Sequence, residues 1–184
     1  EVSLGNDGSI SMENLKNCIN NDLANNFGNL CQRVFTFVKK NCDNKIPRVN
    51  KLDTKDEKLL NDLRGNVKNL IEAMDKQNLN EYIKTVVGYS FDANKYFNDS
   101  EPWSVKKKDP ERMKSILFTI LEQIKNLSIL LNPIIPIATG KVLTSMNLSI
   151  DDISIKSIIN KNVLNHDKEL KNLEILFKKI ENDN

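Results

Sequence analysis

Four polar or aromatic side chains in this sequence have the chemistry needed to hold a nucleotide base. Asn25, Asn29 and Arg33 are four residues apart, and such residues drift around an α-helix by only about 40° per step, so they line one surface. Their amide and guanidinium groups can hydrogen-bond to the Watson–Crick edge of an unstacked base. Trp103, the only tryptophan, offers a flat surface on which such a base can stack.

Each of these residues also has an ordinary structural interpretation. A lone tryptophan is more often a core or interface anchor, and Asn and Arg are common on the polar side of a surface helix. Asn is over-used throughout the chain, so two Asn residues four apart can arise by chance. Pro102 and the lysines after Trp103 favour base binding, because they place the ring at the end of a helix beside positive charge.

The overall charge does not indicate a general nucleic-acid binder. The formal net charge is only +2, from 27 basic and 25 acidic residues, so any affinity for RNA has to come from local patches. The candidate patches are Lys39-Lys40, Lys45 with Arg48 and Lys51, and the run Lys106-Lys107-Lys108. The last run lies just after Trp103, and its lysines are the possible phosphate contacts. The alternative for such a run is a solvated helix end.

Other classes of site find little support in the sequence. The three cysteines, Cys18, Cys31 and Cys42, form no Cys-x-x-Cys pair, and the single histidine, His166, is far from them, so no metal site is predicted. We see no nucleophile or phosphate-binding loop and expect no catalytic or cofactor-binding residue in this chain. Thiols on a helix are typical of a reducing compartment, and we expect a cytoplasmic protein. The longest apolar stretch, 129–138, contains two prolines and is too short to cross a membrane.

The helix signals predict an all-α fold, an antiparallel bundle of about five helices with short connections. Ser11 can cap the first helix, Thr54-Lys-Asp-Glu57 has the spacing of a capping box, and Asp109-Pro110 is a strong start signal. Trp103 falls in the connection before the fourth helix. The predicted helices span 12–40, 54–76, 78–98, 110–131 and 136–146. The predicted core stripe of the first is Leu15, Ile19, Leu23, Phe27, Leu30, Val34 and Phe37.

Three parts of the chain can be distinguished. Residues 1–10 are expected to be a linker from a catalytic part that is missing here, and 11–147 to form the helical bundle. Residues 148–184 are a C-terminal extension of short helices or an extended arm. Within it, 168–180 has an amphipathic pattern that fits either a terminal helix or an arm.

Several words occur in an order that resembles the anticodon-binding region of bacterial methionyl-tRNA synthetase. They are Asn21-Asp-Leu-Ala-Asn-Asn-Phe-Gly-Asn-Leu-Cys-Gln-Arg33, Ala93-Asn-Lys-Tyr96, Glu101-Pro-Trp103 and Leu131-Asn-Pro-Ile-Ile-Pro136. The opening Glu1-Val-Ser-Leu-Gly-Asn-Asp-Gly8 is similar to the segment that joins the catalytic part to this region. The resemblance therefore extends over most of the chain.

This resemblance implies a class I aminoacyl-tRNA synthetase, a methionine–tRNA ligase, with its catalytic fold N-terminal to the bundle. The family's His-Ile-Gly-His and Lys-Met-Ser-Lys-Ser types of ATP-site word are absent. We therefore expect the chain to be inactive alone, with ATP used only by the missing catalytic domain. The expected partners are a methionine-specific tRNA with the CAU anticodon and the protein's own catalytic domain. No appended oligonucleotide-binding barrel is recognised, so a monomer is expected.

The family's anticodon readers fall on the four residues singled out at the start. The resemblance implies that Trp103 stacks on the first anticodon base, a cytosine, that Asn29 and Arg33 hydrogen-bond to its edge, and that Asn25 supports the loop. The alternative is a helical protein–protein interaction module without catalytic activity, which would bind its partner through an apolar groove. A buried Trp103 would favour that alternative.

Overall fold

The computed structural model describes residues 11–149, 154–161 and 164–181, and it confirms the all-α prediction. Over those ranges no strand forms, and the β-pairing is limited to one antiparallel bridge between Lys45 and Glu169. The stretch 1–8, similar to a joining segment, lies outside the described residues. The helices are α1 (Met12–Cys18), a π-helical segment (Ile19–Gly28), α2 (Asn29–Asn41), α3 (Thr54–Asp75), α4 (Leu79–Asp99), α5 (Pro102–Val105), α6 (Pro110–Leu131), α7 (Pro136–Ser145) and α8 (Ile155–Ile159).

Helix α6 forms the centre of the bundle. It begins as the sequence predicts, with Asp109 accepting a hydrogen bond from the Arg112 amide at 2.8 Å and Pro110 in the first turn. Every residue from 115 to 131 is buried, so α6 is surrounded by other elements. None of the helices in the described ranges combines the length and hydropathy needed to cross a bilayer.

The first predicted helix is not one regular α-helix. A ten-residue π-helical segment separates α1 from α2, and the continuous α-helix predicted over 12–40 is therefore wrong in its middle. The buried side chain of Asn26 lies in this segment, where its Oδ1 accepts hydrogen bonds from Ser90 Oγ at 3.0 Å and Asn94 Nδ2 at 2.8 Å. These bonds fix the segment to α4. Its wider turn changes which side chains face the bundle.

The predicted core stripe of this helix is correct only in part. Phe27, Leu30 and Val34 are buried, as predicted. Leu15 is exposed, because it lies on α1, which has no buried residue. The spacing of the hydrophobic residues therefore identified the face of α2 that packs in the core. It did not indicate that burial stops before α1.

The predicted N-cap of the second predicted helix is corrected by one residue. The N-cap of α3 is Asp53 rather than Thr54, and its carboxylate accepts from the amides of Lys55 and Asp56. The Asp56 side chain in turn accepts from the Asp53 amide at 3.0 Å, so the capping box is displaced by one residue. Trp103 lies between α4 and α6, in the predicted helix-to-helix connection, where residues Pro102–Val105 form the short helix α5.

Residues 164–181 form an extended segment, here called the C-terminal arm. Backbone hydrogen bonds join it to the loop after α2, from the Ile46 amide to the Lys168 carbonyl at 2.9 Å and from the Leu170 amide to the Asn44 carbonyl at 2.8 Å. Two of its own side chains, Leu170 and Leu173, are buried. The amphipathic pattern over 168–180 therefore belongs to an extended arm and not to a helix.

A buried carboxylate joins α3, α4 and α6. Asp56 is fully buried and accepts hydrogen bonds from Arg112 Nη1 at 2.5 Å and Nη2 at 2.8 Å and from the Tyr96 hydroxyl. Burial alone would raise the pKa of Asp56, but the hydrogen bonds from Arg112 and Tyr96 outweigh it and hold this pKa below its ordinary value. The charged form is therefore part of the folded state.

We predict that Asp56→Asn lowers the free energy of unfolding by about 3 kcal/mol at pH 7, because it breaks a buried ion pair and a helix cap together. A carboxylate with a lowered folded-state pKa stabilises the protein above its unfolded pKa of about 4, and this contribution is lost as the pH falls through the folded-state pKa. The difference between wild type and variant in urea unfolding should therefore shrink below pH 4.

The control is Asp62→Asn, which removes an exposed carboxylate paired with Lys58 on the same helix. It should leave the urea midpoint unchanged. A difference between wild type and Asp56→Asn that stays constant from pH 7 to pH 3 would show that Asp56 is not held in its charged form.

Candidate nucleic-acid interface

An open cleft of about 360 Å³ lies at one end of the bundle, between α2, the end of α4 and α5. It contains two of the residues that the sequence singles out, Arg33 and Trp103. The Trp103 side chain is 39% exposed and so is accessible to a ligand. We call this the Trp103 cleft. Its lining residues are Gln32, Arg33, Thr36, Phe37, Lys40, Phe97 and Trp103.

Phe97 forms the floor of the Trp103 cleft and connects its walls. It is only 2% exposed, and its ring meets the Trp103 ring edge-to-face, with centroids 5.9 Å apart and planes at 82°. Phe37 of α2 packs on the same ring at 6.5 Å and 83°. Edge-to-face contacts are favourable arrangements for aromatic rings, so Phe97 holds the indole at a defined angle.

Arg33 is also held by α4. Its Cζ atom lies 5.2 Å from the Phe97 ring centroid, and its Nη2 donates a hydrogen bond to Asn98 Oδ1 at 2.7 Å. A guanidinium has five N–H donors, so these contacts orient the group without using all of its capacity. Arg33 forms no ion pair with any carboxylate in the described part of the chain. Its positive charge therefore remains available at the cleft.

Asn25 and Asn29 lie in a neighbouring cleft. This second cleft, of about 310 Å³, is bounded by the π-helical segment, the start of α2 and the C-terminal arm, and we call it the arm cleft. Gln32 lines both clefts. The predicted row is therefore spread over two adjoining clefts that meet at this residue. Lining the arm cleft are Ala24, Asn25, Gly28, Asn29, Gln32, Ile175, Leu176, Phe177 and Lys179.

The three candidate phosphate-binding lysines differ in their surroundings. Lys106 lies beside the Trp103 cleft, with its Nζ 5.8 Å from the Phe37 ring centroid and donating to Asn41 Oδ1 at 3.1 Å. Lys107 and Lys108 are exposed. Lys40, which belongs to the candidate basic patch Lys39-Lys40, lines the cleft itself. Positive charge is thus concentrated at this edge of the cleft.

Sequence reasoning missed the aromatic floor of the cleft. Phe37 was assigned to the core stripe of the first helix, and Phe97 was not singled out at all. An available signal was the position of Phe97 at the end of a predicted helix, shortly before Trp103, whereas nothing in the sequence connects Phe37 with Trp103. In the described ranges no group of His, Cys, Asp or Glu side chains is arranged to hold a metal ion.

The fold is that of a helical anticodon-binding domain. The family model described as the anticodon binding domain of methionyl tRNA ligase matches residues 46–184, and the chain belongs to this family. The match begins after the helix that carries Asn25, Asn29 and Arg33.

Two similar longer proteins match this chain over its whole length, so their matches include that helix. The methionine–tRNA ligase of Rickettsia felis is 32% identical over all of this chain and 36% of its own length. That of Rhizobium meliloti is 36% identical over 78% of this chain and 28% of its own length. The free-state structure of Mycobacterium tuberculosis methionyl-tRNA synthetase superposes with a TM-score of 0.93 and 28% identity, covering 100% of this chain and 37% of that one. The chain therefore spans about a third of the proteins it resembles.

We predict that Phe97→Leu loosens Trp103 without unfolding the bundle. The substitution keeps an apolar side chain but removes two aromatic contacts and the ring beneath Arg33, each worth about 1 kcal/mol. Trp103 is the only tryptophan, so its fluorescence reports the cleft directly. The emission should shift to the red and acrylamide quenching should increase.

Phe91→Leu provides the matched control, because Phe91 lies on the same helix but is 50% exposed. It should leave Trp103 emission unchanged. Equal emission from wild type and Phe97→Leu would mean that Phe97 does not position the indole.

Proposed function

We propose that this chain is the anticodon-recognition module of a methionine–tRNA ligase and that it reads the first base of the CAU anticodon. The observation that supports the proposal most strongly is the opening of Trp103 and Arg33 onto one cleft, although they are 70 positions apart in the sequence. One supplies an accessible aromatic face and the other supplies hydrogen-bond donors. An unstacked base in single-stranded RNA needs both.

Trp103 provides affinity in this mechanism. Stacking of a base on an aromatic side chain is worth about 1–3 kcal/mol and depends little on the identity of the base. The edge-to-face contact with Phe97 leaves a face of the indole for that purpose. Because the ring is already held in the free protein, little side-chain entropy is lost on binding.

Arg33 and Asn29 provide identity. Cytosine presents an amino donor next to two acceptors, and the guanidinium of Arg33 donates to acceptors of this kind. Uracil has an N–H donor where cytosine has its ring-nitrogen acceptor, so donor would meet donor. Leaving such groups unpaired costs about 1–3 kcal/mol. Asn29 contacts the edge of the base from the adjoining cleft, and Asn25 supports the anticodon loop.

Lys106, Lys107 and Lys108 contribute phosphate contacts at the α5 side of the Trp103 cleft. Such contacts are insensitive to sequence and weaken with salt. With a net charge of only +2, the chain relies on a few contacts of this type. We therefore expect modest affinity and strong dependence on the base held by Trp103.

The names of its relatives support a methionine–tRNA ligase activity for the longer protein. It attaches methionine to a methionine-specific tRNA with ATP, using a catalytic domain that this chain does not include, and the present chain is inactive alone. The partners of the module are the tRNA and that catalytic domain, and the protein is a monomer in the cytoplasm. The buried thiol of Cys31 fits a reducing compartment.

The exposure of Trp103 favours this function over a helical protein–protein interaction module. In that alternative the indole would be an anchor hidden by neighbouring side chains, whereas more than a third of it is accessible. The Trp103 cleft also has two cationic side chains, Arg33 and Lys40, on its walls. An anionic ligand fits such a site better than an apolar helix does.

The test is binding of anticodon stem-loop RNA to the isolated chain. A stem-loop with the CAU anticodon should bind at least tenfold more tightly than one with UAU, since the difference involves one or two hydrogen bonds. Trp103→Ala should weaken binding of the CAU stem-loop by about tenfold or more, from the lost stacking energy. It should also abolish the preference, because a base that is no longer stacked is not held against Arg33 and Asn29. Fluorescence anisotropy of labelled RNA measures both quantities.

Trp103→Phe is the matched variant, because it keeps an aromatic face and should keep part of the affinity. Equal binding of the CAU and UAU stem-loops by the unmutated chain would contradict the proposed function. Capture of a protein partner without any dependence on the anticodon would favour the interaction module.

A further inference from the structure

The arm cleft is built from two distant parts of the chain, and the C-terminal arm forms one entire wall of it. The other wall is the π-helical segment and the first turn of α2, which carry Asn25 and Asn29. The proposed anticodon readers therefore face residues of the arm and not only solvent. The C-terminal arm is therefore packed beside the helical segments that carry the proposed base readers.

Four residues of the arm line the arm cleft, Ile175, Leu176, Phe177 and Lys179, and only Lys179 among them is charged. Lys178, with the same charge, is exposed but does not line the cleft. The arm thus presents one of its two adjacent lysines to the reading helix.

Side-chain amides of the helix anchor the arm on both sides of Lys179. Gln32 Nε2 donates to the Glu174 carbonyl at 2.6 Å. Asn20 exchanges two hydrogen bonds with Ile180, accepting from its amide at 2.9 Å and donating to its carbonyl at 3.0 Å. The Asn20 side chain thus makes the same pair of hydrogen bonds with the Ile180 backbone that a residue of a neighbouring β-strand would make. The backbone of the arm is therefore held on both sides of Lys179.

The helix and the arm approach closely between these anchors. A Cβ atom added to Gly28 would lie 3.0 Å from Cδ2 of Phe177, closer than such contacts normally are. The absence of a side chain at Gly28 allows the Phe177 ring to rest directly on the helix. The shape of the arm cleft is consequently set by the close packing of Phe177 against Gly28.

The charge of Lys179 is not neutralised. It forms no ion pair with any residue that the structure describes, and Asn25, which is not assigned to the base, adds an amide donor on the opposite wall. A cation facing an amide donor is a combination suited to a phosphate group. Gln32 belongs to both clefts, so the arm cleft continues directly from the site of the stacked base.

We propose that the arm cleft binds a phosphodiester of the anticodon loop next to the base stacked on Trp103, with Lys179 as its cationic contact. This assigns the C-terminal arm to the RNA-binding surface. The inference rests on the proposed function, because it requires that RNA occupies the Trp103 cleft. It gives Lys179 a role in affinity and salt dependence, and none in base identity.

The experiment compares Lys179→Ala with Lys178→Ala in the full chain, using the CAU and UAU stem-loops over a range of KCl concentrations. Loss of one phosphate contact should weaken both RNAs by the same factor, about fivefold at 0.1 M salt, and should reduce the slope of log K against log salt by about 0.7. The ratio between CAU and UAU should not change. Lys178→Ala removes the same charge from an exposed residue that does not line the arm cleft, and it should alter affinity by less than about twofold.

A second variant tests the arm rather than the charge. Asn20→Ala removes the double anchor at Ile180 and leaves Lys179 in the chain, so it should weaken binding by a smaller factor. In the double variant Asn20→Ala/Lys179→Ala the two effects should be less than additive, because both act through one contact. Full additivity would overturn the positioning role of the arm.

The outcomes separate this inference from the proposed function. If the wild type prefers CAU but the two lysine variants behave alike, the arm-cleft site is overturned while base reading stands. If Lys179→Ala changes the CAU to UAU ratio, Lys179 reads the base and the phosphate assignment is wrong. If the wild type itself shows no preference, the proposed function fails and this inference fails with it.

Discussion

The packing of three side chains on the Phe97 ring determines whether the Trp103 cleft exists. Phe37 approaches from α2, Trp103 from α5, and the guanidinium of Arg33 lies over the ring. Phe97 itself is at the end of α4 and is buried. One residue therefore joins three elements at one end of the bundle and places an aromatic surface beside a cation. Without that junction, Arg33 and Trp103 would be unrelated surface residues.

Much of the fold could be predicted because its signals are local. Asp109-Pro110 begins α6 and Asn78 caps α4, since caps depend on neighbouring residues only. The π-helical segment could not be predicted, because Asn26 is held by partners on α4 more than 60 positions away. The arm was equally out of reach, since an amphipathic pattern over 168–180 fits a helix or an extended segment until its packing surface is known.

In the site, too, features set by neighbouring residues could be predicted, and features set by residues distant in the chain could not. The spacing of Asn25, Asn29 and Arg33 indicates a shared surface but not its neighbours. The wall opposite Asn25 and Asn29 comes from residues 175–179, which no local pattern connects to them. Side-chain chemistry could thus be predicted from the sequence, whereas the division into two adjoining clefts follows from tertiary packing. In this account one cleft holds a base and the other holds the backbone next to it.

The central claim, that Trp103 and Arg33 hold one base, is tested most directly by an anticodon stem-loop that lacks only that base. An abasic nucleotide at the first anticodon position keeps every phosphate and removes the stacking partner. Titration of the chain with the CAU stem-loop should quench Trp103 emission, while the abasic stem-loop should bind at least tenfold more weakly and leave the emission nearly unchanged. Equal affinity and equal quenching with both RNAs would contradict the account, because the indole would then be sensing RNA without holding a base.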